Sequence, residues 1–346
     1  HRETVLKAFR FERPARISMS FHINAACWHH YDQHALQDLM AAHPLLFPDF
    51  TRQARVTPRY GLNQRKDEPY TDPWGCVWET TDDGITGTVR YHPLADWSRL
   101  DTYTAPDPAE TDGTFPIDWN EIRVRVARQK AAGELVVAGL PHGHTFLRLQ
   151  DLRGYENLIF DMHDEDPRLE TLVERVADFN AAVVRRWLAL EPDVMVYPED
   201  LGMQVGPMLA PDHFRRMIQP VYRRLMAPAR AQGCLVHMHS DGDIRTLAED
   251  LVDGGVDVIN LQDRVNGIDW IAETFAGKTC IELDIDRQHV TVHGTPDEID
   301  ALIHREVETL GRPEGGLMMI YGLYPGVPLV NVAALMDAME RYATFF

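Results

Sequence analysis

Short apolar or β-branched runs alternate along the chain with longer amphipathic stretches. The runs predict seven strands, at residues 16–22 (RISMSFH), 134–140 (ELVVAGL), 193–197 (DVMVY), 234–239 (CLVHMH), 257–261 (DVINL), 279–284 (TCIELD) and 316–321 (GLMMIY). Between them apolar residues recur at helical spacing. Residues 167–190 carry Leu169, Leu172, Val173, Val176, Phe179 and Val183 on one stripe, and residues 211–232 open on Ala-Pro-Asp and stop at Gly233. Residues 244–252 and 296–310 repeat the pattern, with proline and glycine where helices start and stop. Alternation of this kind predicts an α/β fold with a largely parallel sheet. Seven strands without a linker between them predict a closed (β/α)8 TIM-type barrel rather than an open doubly wound sheet. Residues 74–93 depart from the rhythm: two alternating runs flank Asp82-Asp83-Gly84, the signature of a hairpin. A Pro- and Asp-rich connection at 105–116 follows. The expectation is one barrel domain over residues 1–346, with an inserted β-hairpin region at about 60–120.

Composition mainly supplies exclusions. Against 34 Lys+Arg stand 53 Asp+Glu, a net charge of −19, and a field of that sign repels nucleic acid and anionic membrane surfaces. No apolar run approaches the roughly 20 residues of a membrane span, and no signal-like segment opens the sequence, so a cytoplasmic protein is expected. The four cysteines are far apart and never form CxxC, which argues against a disulfide framework or a zinc knuckle. There is no GxGxxG, no Walker loop and no GxSxG, so neither a nucleotide cofactor nor serine hydrolysis has a candidate.

The polar residues at the strand ends change the picture. Nearly every predicted strand runs into titratable residues: His22; His142 and His144; Glu199 and Asp200; His237, His239 and Asp241; Asp263; Glu282, Asp284 and Asp286; and Tyr321. In a barrel these ends converge on one mouth, where chemistry is done. In VHMHSDG, side-chain alternation turns His237, His239 and Asp241 to one face and Val236 and Met238 to the other. In IELDID it turns Glu282, Asp284 and Asp286 away from the helices. Carboxylates left unpaired there cost several kcal/mol each, so they call for a metal, a cationic substrate, arginines or shared protons. Imidazole with carboxylate suits zinc, manganese or iron. The same spacing also serves a metal-free acid–base cluster or a hydrogen-bonded network.

Several segments resemble the uroporphyrinogen-decarboxylase-like superfamily. They are residues 2–17 (RETVLKAFRFERPARI), Asp72-Pro73-Trp74-Gly75, His92-Pro93-Leu94-Ala95-Asp96-Trp97, Glu199-Asp200-Leu201-Gly202, Ala210-Pro211-Asp212, residues 239–242, Asp284-Ile285-Asp286-Arg287-Gln288, Gly294-Thr295-Pro296 and Val327-Pro328-Leu329-Val330-Asn331. The resemblance covers nearly the whole chain and implies a (β/α)8 barrel. The true decarboxylases carry an arginine-rich segment that binds tetrapyrrole carboxylates. Here residues 21–28 (FHINAACW) contain no arginine, so the resemblance is to the corrinoid-linked methyltransferase branch. Those enzymes bind zinc through a His-x-Cys pair, a later Cys and, in some, an acidic residue. His239 matches the histidine, Asp241 stands where the first cysteine belongs, Asp263 at the acidic position and Tyr321 near the last cysteine.

The resemblance therefore implies a methyltransferase that moves a methyl group from a small O- or N-methyl substrate to a corrinoid carried by a partner protein. Its divalent metal, zinc by the family, would be held by His237, His239, Asp241 and Asp263, a harder donor set better suited to polarising oxygen than to activating a thiol. Glu199, Glu282 or Asp284 would protonate the leaving group. His22, His142, His144 and Tyr321 would line the substrate pocket. A homodimer is a further implication. The alternative is a metal-dependent or cofactor-free lyase, such as a decarboxylase of a small carboxylic acid, which needs Arg148, Arg153, Arg245 or Arg287 turned inward.

Overall fold

The computed structural model describes residues 2–346. All seven predicted strands form, with a small antiparallel sheet among them. In chain order they are β1 (Ser18–Ile23), β2 (Tyr70–Thr71), β3 (Val77–Glu79), β4 (Thr88–Tyr91), β5 (Val137–Gly139), β6 (Val194–Pro198), β7 (Leu235–Ser240), β8 (Val258–Gln262), β9 (Cys280–Asp284) and β10 (Leu317–Leu323). β2, β3 and β4 make the antiparallel sheet, and β3 returns to β4 around Asp82-Asp83-Gly84, where the hairpin is predicted. Gly84 adopts φ +84°, and a Cβ there would lie 2.6 Å from the Ala26 nitrogen, so the turn admits glycine alone. The other seven strands are parallel, where an eightfold pattern calls for one more among the described residues.

The helices lie where apolar periodicity places them, at Pro167–Leu188 and Pro296–Leu310, while residues 244–252 shorten to Ala248–Asp253. Residues 211–232 are not one α-helix. They begin as Pro211–His213, pass through a π-helical turn at Phe214–Ile218, and continue as Gln219–Ala231. Pro220 explains the break, because it has no N–H to give the preceding turn and its ring displaces the carbonyl it would have met. The wider π turn takes up the mismatch.

The chain divides into two compact units. One contains Glu68–Glu79 and Gly87–Asn260, the other Glu3–Asp67, Thr80–Thr86 and Leu261–Phe346. In the first, β5, β6 and β7 are parallel neighbours, with Val194 opposite Leu235, Val196 opposite His237 and Pro198 opposite His239. Met195, Tyr197, Val236 and Met238 are buried on one face of these strands, with Leu172, Val176 and Leu225 from the helices in the same core. In the second, β1 pairs with β10 and β10 with β9, and Ile299, Ile303, Val307, Leu335 and Met339 bury the helical layer. A fully buried side chain of this size contributes roughly 1.5–3 kcal/mol, so these layers hold each unit together.

Register fixes the polar face as well. In-register parallel neighbours turn their side chains to the same side. The pairs Val196–His237 and Pro198–His239 therefore carry the next residue of that phase, Asp200, to the side of His239 and Asp241. Tyr197 and Glu199, one residue out of phase, are buried on the opposite face.

Candidate functional site

At the ends of β6 and β7 in the first unit, four side chains meet. His142 Nε2 lies 3.2 Å from Asp200 Oδ1, and His239 Nε2 lies 3.7 Å from Asp200 Oδ1 and 3.5 Å from Asp241 Oδ1. One ligand atom from each of His142, Asp200 and His239 falls within 4.8 Å of the other two. On the far side of the ring, His239 Nδ1 donates to Asn260 Oδ1 at 2.5 Å. That bond fixes the tautomer and turns the Nε2 lone pair towards the carboxylates, the arrangement a ligating histidine needs. Burial holds the His239 imidazole towards its neutral form, against the pull of Asp241 and Asp200. Asp200 is held below the usual carboxylate range: burial opposes this, but His142, His239 and the Asp241 N–H outweigh it. His142 moves the other way, for burial disfavours its charged form and the bond to Asp200 more than compensates. The His239 imidazole, with its lone pair set, and the Asp200 carboxylate beside it are donors that suit a divalent cation of borderline or hard character.

The supports of this cluster are built from buried polar groups. Glu199, fully buried beside Asp200, accepts from the N–H groups of Thr145, Phe146 and Leu147 and from the Tyr222 hydroxyl at 2.6 Å. It thereby caps the helix Phe146–Arg153, which starts just after His142. Its own N–H donates to the His239 carbonyl. His144 is buried with Nδ1 against Thr145 Oγ1 at 2.6 Å, and burial lowers its pKa. Asn180 Nδ2 donates to the His144 carbonyl.

The second unit gathers its own titratable residues. Asp263 is buried and accepts from the N–H groups of Arg264 and Asp286. Asp286 accepts from the N–H groups of Gln288, His289, Val290 and Thr291, closing the start of the short helix Val290–His293. Glu306 is fully buried against Asp263, and burial, followed by Asp263, pushes its carboxyl well above the ordinary range. Burial also raises Asp263. Tyr321 is buried, donates to Thr291 Oγ1 at 3.2 Å, and is pushed up to about 12 by burial.

The sequence-predicted residues thus fall in several settings. His239 and Asp241 stand in the cluster, joined by His142, expected as a pocket residue, and by Asp200. His237 shares the half-buried face of β7. Glu199 and His144 lie in the capping network, and Asp263 and Tyr321 in the network of the second unit. Glu282 is half-buried on β9, Asp284 accepts from Arg287 Nη2 at 2.8 Å, and His22 is exposed on β1. Sequence reasoning gave no role to Asp200 or Asn260. Both had a signal: the phase of β6 set by Val196, and a lone amide amid the apolar run 257–261.

Comparison with known proteins bears on the fold and the family. A structure described as a methyltransferase from Methanosarcina mazei is similar over 99% of this chain and 98% of its own, at 15% identity and a TM-score of 0.68. A B12-independent methionine synthase from Shewanella is similar over 67% of each chain, at 12% identity and a TM-score of 0.45. No curated protein matches the sequence. The first likeness shows the fold, an α/β barrel of the TIM type. The family model for uroporphyrinogen decarboxylase (URO-D) matches residues 75–342, most of the chain, and the protein belongs to that family.

Proposed function

We propose that the protein is a methyltransferase that moves a methyl group from a small O- or N-methyl substrate to a corrinoid carried by a separate protein. The observation that carries the reading is the His239 imidazole, its Nδ1 held by Asn260 and its Nε2 facing Asp200 and Asp241. His239 and Asp200 would hold a divalent metal, zinc by family resemblance, with Asp241 beside the same His239 nitrogen. Such a metal supplies a Lewis acid that polarises the heteroatom bearing the methyl group. His142, kept towards its protonated form by Asp200, delivers a proton to the departing oxygen or nitrogen, since an alkoxide or amide anion does not leave unaided near neutral pH. Glu199, with three backbone N–H groups and the Tyr222 hydroxyl on its oxygens, is a positioning residue that holds the His142 loop against β6.

The arginines support this reading over a lyase. A decarboxylase of a small acid needs a guanidinium to anchor the substrate, and each candidate already pairs with a carboxylate. Arg148 meets Asp72 and Arg153 meets Asp161, both at 2.6 Å, and Arg245 meets Asp243 and Arg287 meets Asp284, both at 2.8 Å. Metal content of protein purified without chelators, followed by incubation with small methyl ethers and methylamines plus cob(I)alamin, tests the proposal. The expected result is near-stoichiometric metal, lost in His239→Ala, and methylcobalamin formed from at least one donor but not by His142→Gln. Metal-free wild type that methylates cobalamin from none of the donors would overturn it.

A further inference from the structure

Two glycines beyond the strand ends lie closer together than any other residue type allows. A Cβ on Gly202 would stand 2.5 Å from the Asp243 nitrogen and the Gly242 carbonyl carbon, and 2.8 Å from the Asp241 oxygen. A Cβ on Gly242 would stand 2.2 Å from the Gly202 carbonyl carbon and 2.4 Å from its oxygen. Every one of these neighbours is main chain, so no side chain can swing aside. Gly242 has φ +81°, which also favours glycine, whereas Gly202 lies outside the left-handed region and only the close approach accounts for it.

The crossing is fastened on both sides. The Glu199 N–H donates to the His239 carbonyl, the Gly202 N–H to the Asp241 carbonyl at 3.2 Å, and the Asp243 N–H to the Met203 carbonyl at 2.7 Å. The Gly206 N–H donates to Asp243 Oδ2, and the Asp241 N–H to Asp200 Oδ1 at 3.1 Å. These bonds carry the pairing of β6 and β7 past the ends of the strands, through the two residues that present carboxylates to His239.

We infer that Gly202 and Gly242 are positioning residues whose backbone contact sets Asp200 and Asp241 at their distances from His239 Nε2, 3.7 and 3.5 Å. The inference rests on the metal reading above. Glycine at both places lets the two chains touch, and the contact lies two residues from Asp200 and one from Asp241. An added Cβ would stand 2.2–2.5 Å from the facing main chain, so the two segments would have to part until that contact reached the ordinary range beyond 3.4 Å, and the carboxylates would move with them. The stretches 199–202 and 239–242, singled out by sequence resemblance, thus act as one clamp rather than as two strings of ligands.

Binding of Zn2+ in competition with a chromophoric chelator, and the visible spectrum of the Co2+-loaded protein, test the inference without any turnover. Gly202→Ala is expected to lower metal affinity at least about tenfold and to alter the cobalt spectrum. Asp243→Ala, which unfastens the Gly206 N–H without adding bulk, is expected to lower affinity by a smaller factor. Gly133→Ala serves as comparator, because Gly133 also has positive φ but nothing within 4 Å of its missing Cβ, and it should bind metal as the wild type does. A folded Gly202→Ala with wild-type affinity and spectrum overturns the inference. If that variant does not fold, wild-type behaviour of Asp243→Ala overturns it. Equal losses in Gly133→Ala would do the same, by reducing the effect to general destabilisation. Wild-type protein that takes up no metal is a different failure, which removes the metal reading and the clamp's role together.

Discussion

The ends of β6 and β7 in the first unit and the surroundings of Asp263 in the second use the same residue types to opposite effect. In the first, carboxylates meet imidazoles: Asp200 and Asp241 keep 29% and 37% of their side chains exposed, burial holds His239 towards its neutral form, and Asp200 holds His142 towards its charged form. In the second, carboxyls meet backbone N–H groups or each other. Asp286 accepts from four successive amides, Asp263 from two, and Glu306 from none among the described residues. A titratable residue at a strand end is therefore not by itself a sign of chemistry. What separates the two regions is whether the main chain has already satisfied the carboxylates. Where it has, they hold loops in place; where imidazoles face them, they can bind and exchange.

Exchanging damage between the regions would test that contrast. His239→Ala should lower metal affinity more than about 100-fold, beyond the 10–100-fold typical of an outer partner, and should leave the melting temperature nearly unchanged. Asp286→Ala should do the reverse. Four amides at a helix start lose their acceptor, at a cost of roughly 2–3 kcal/mol in a denaturant titration, with metal content intact. Loss of metal in Asp286→Ala without loss of stability would erase the distinction. Asn260→Ala should fall next in size, at about 10–100-fold in metal affinity, because His239 loses the bond that fixes its tautomer. A metal titration of that variant indistinguishable from the wild type would mean that the ring is oriented by packing alone.

The strands and most helices were legible in the sequence because period-two and period-3.6 patterns follow directly from which faces are buried. The π turn was less so: Pro220 is visible, but whether a proline kinks, breaks or widens a helix depends on its neighbours. At the site, His239 and Asp241 could be read from alternation along one strand. Asp200 required the register between two strands, which no single run encodes. Glu199 was readable as a carboxylate at a strand end, but not as a helix cap, since Thr145, Phe146 and Leu147 come to it from more than fifty residues away. The Gly202–Gly242 approach is likewise invisible in sequence, where each glycine reads as an ordinary loop residue.

The smallest effect is also the sharpest probe of the second region. Burial, followed by the neighbouring Asp263, pushes the Glu306 carboxyl well above the ordinary range and favours its protonated form in the folded chain. Its folded pKa lies above the unfolded one. Between the two values the folded chain binds more protons than the unfolded chain, and stability must fall as pH rises. The contribution of Glu306 is thus complete below the unfolded carboxyl value of about 4.3 and is lost progressively on going to neutral and alkaline pH. Glu306→Gln supplies an amide donor of the same shape without a titrating group. Its unfolding free energy should be flatter between about pH 5 and pH 8 and should exceed the wild type's at the upper end, where unfolding lets the wild-type carboxyl ionise. Parallel stability curves for the two proteins would mean that Glu306 is already ionised in the folded state.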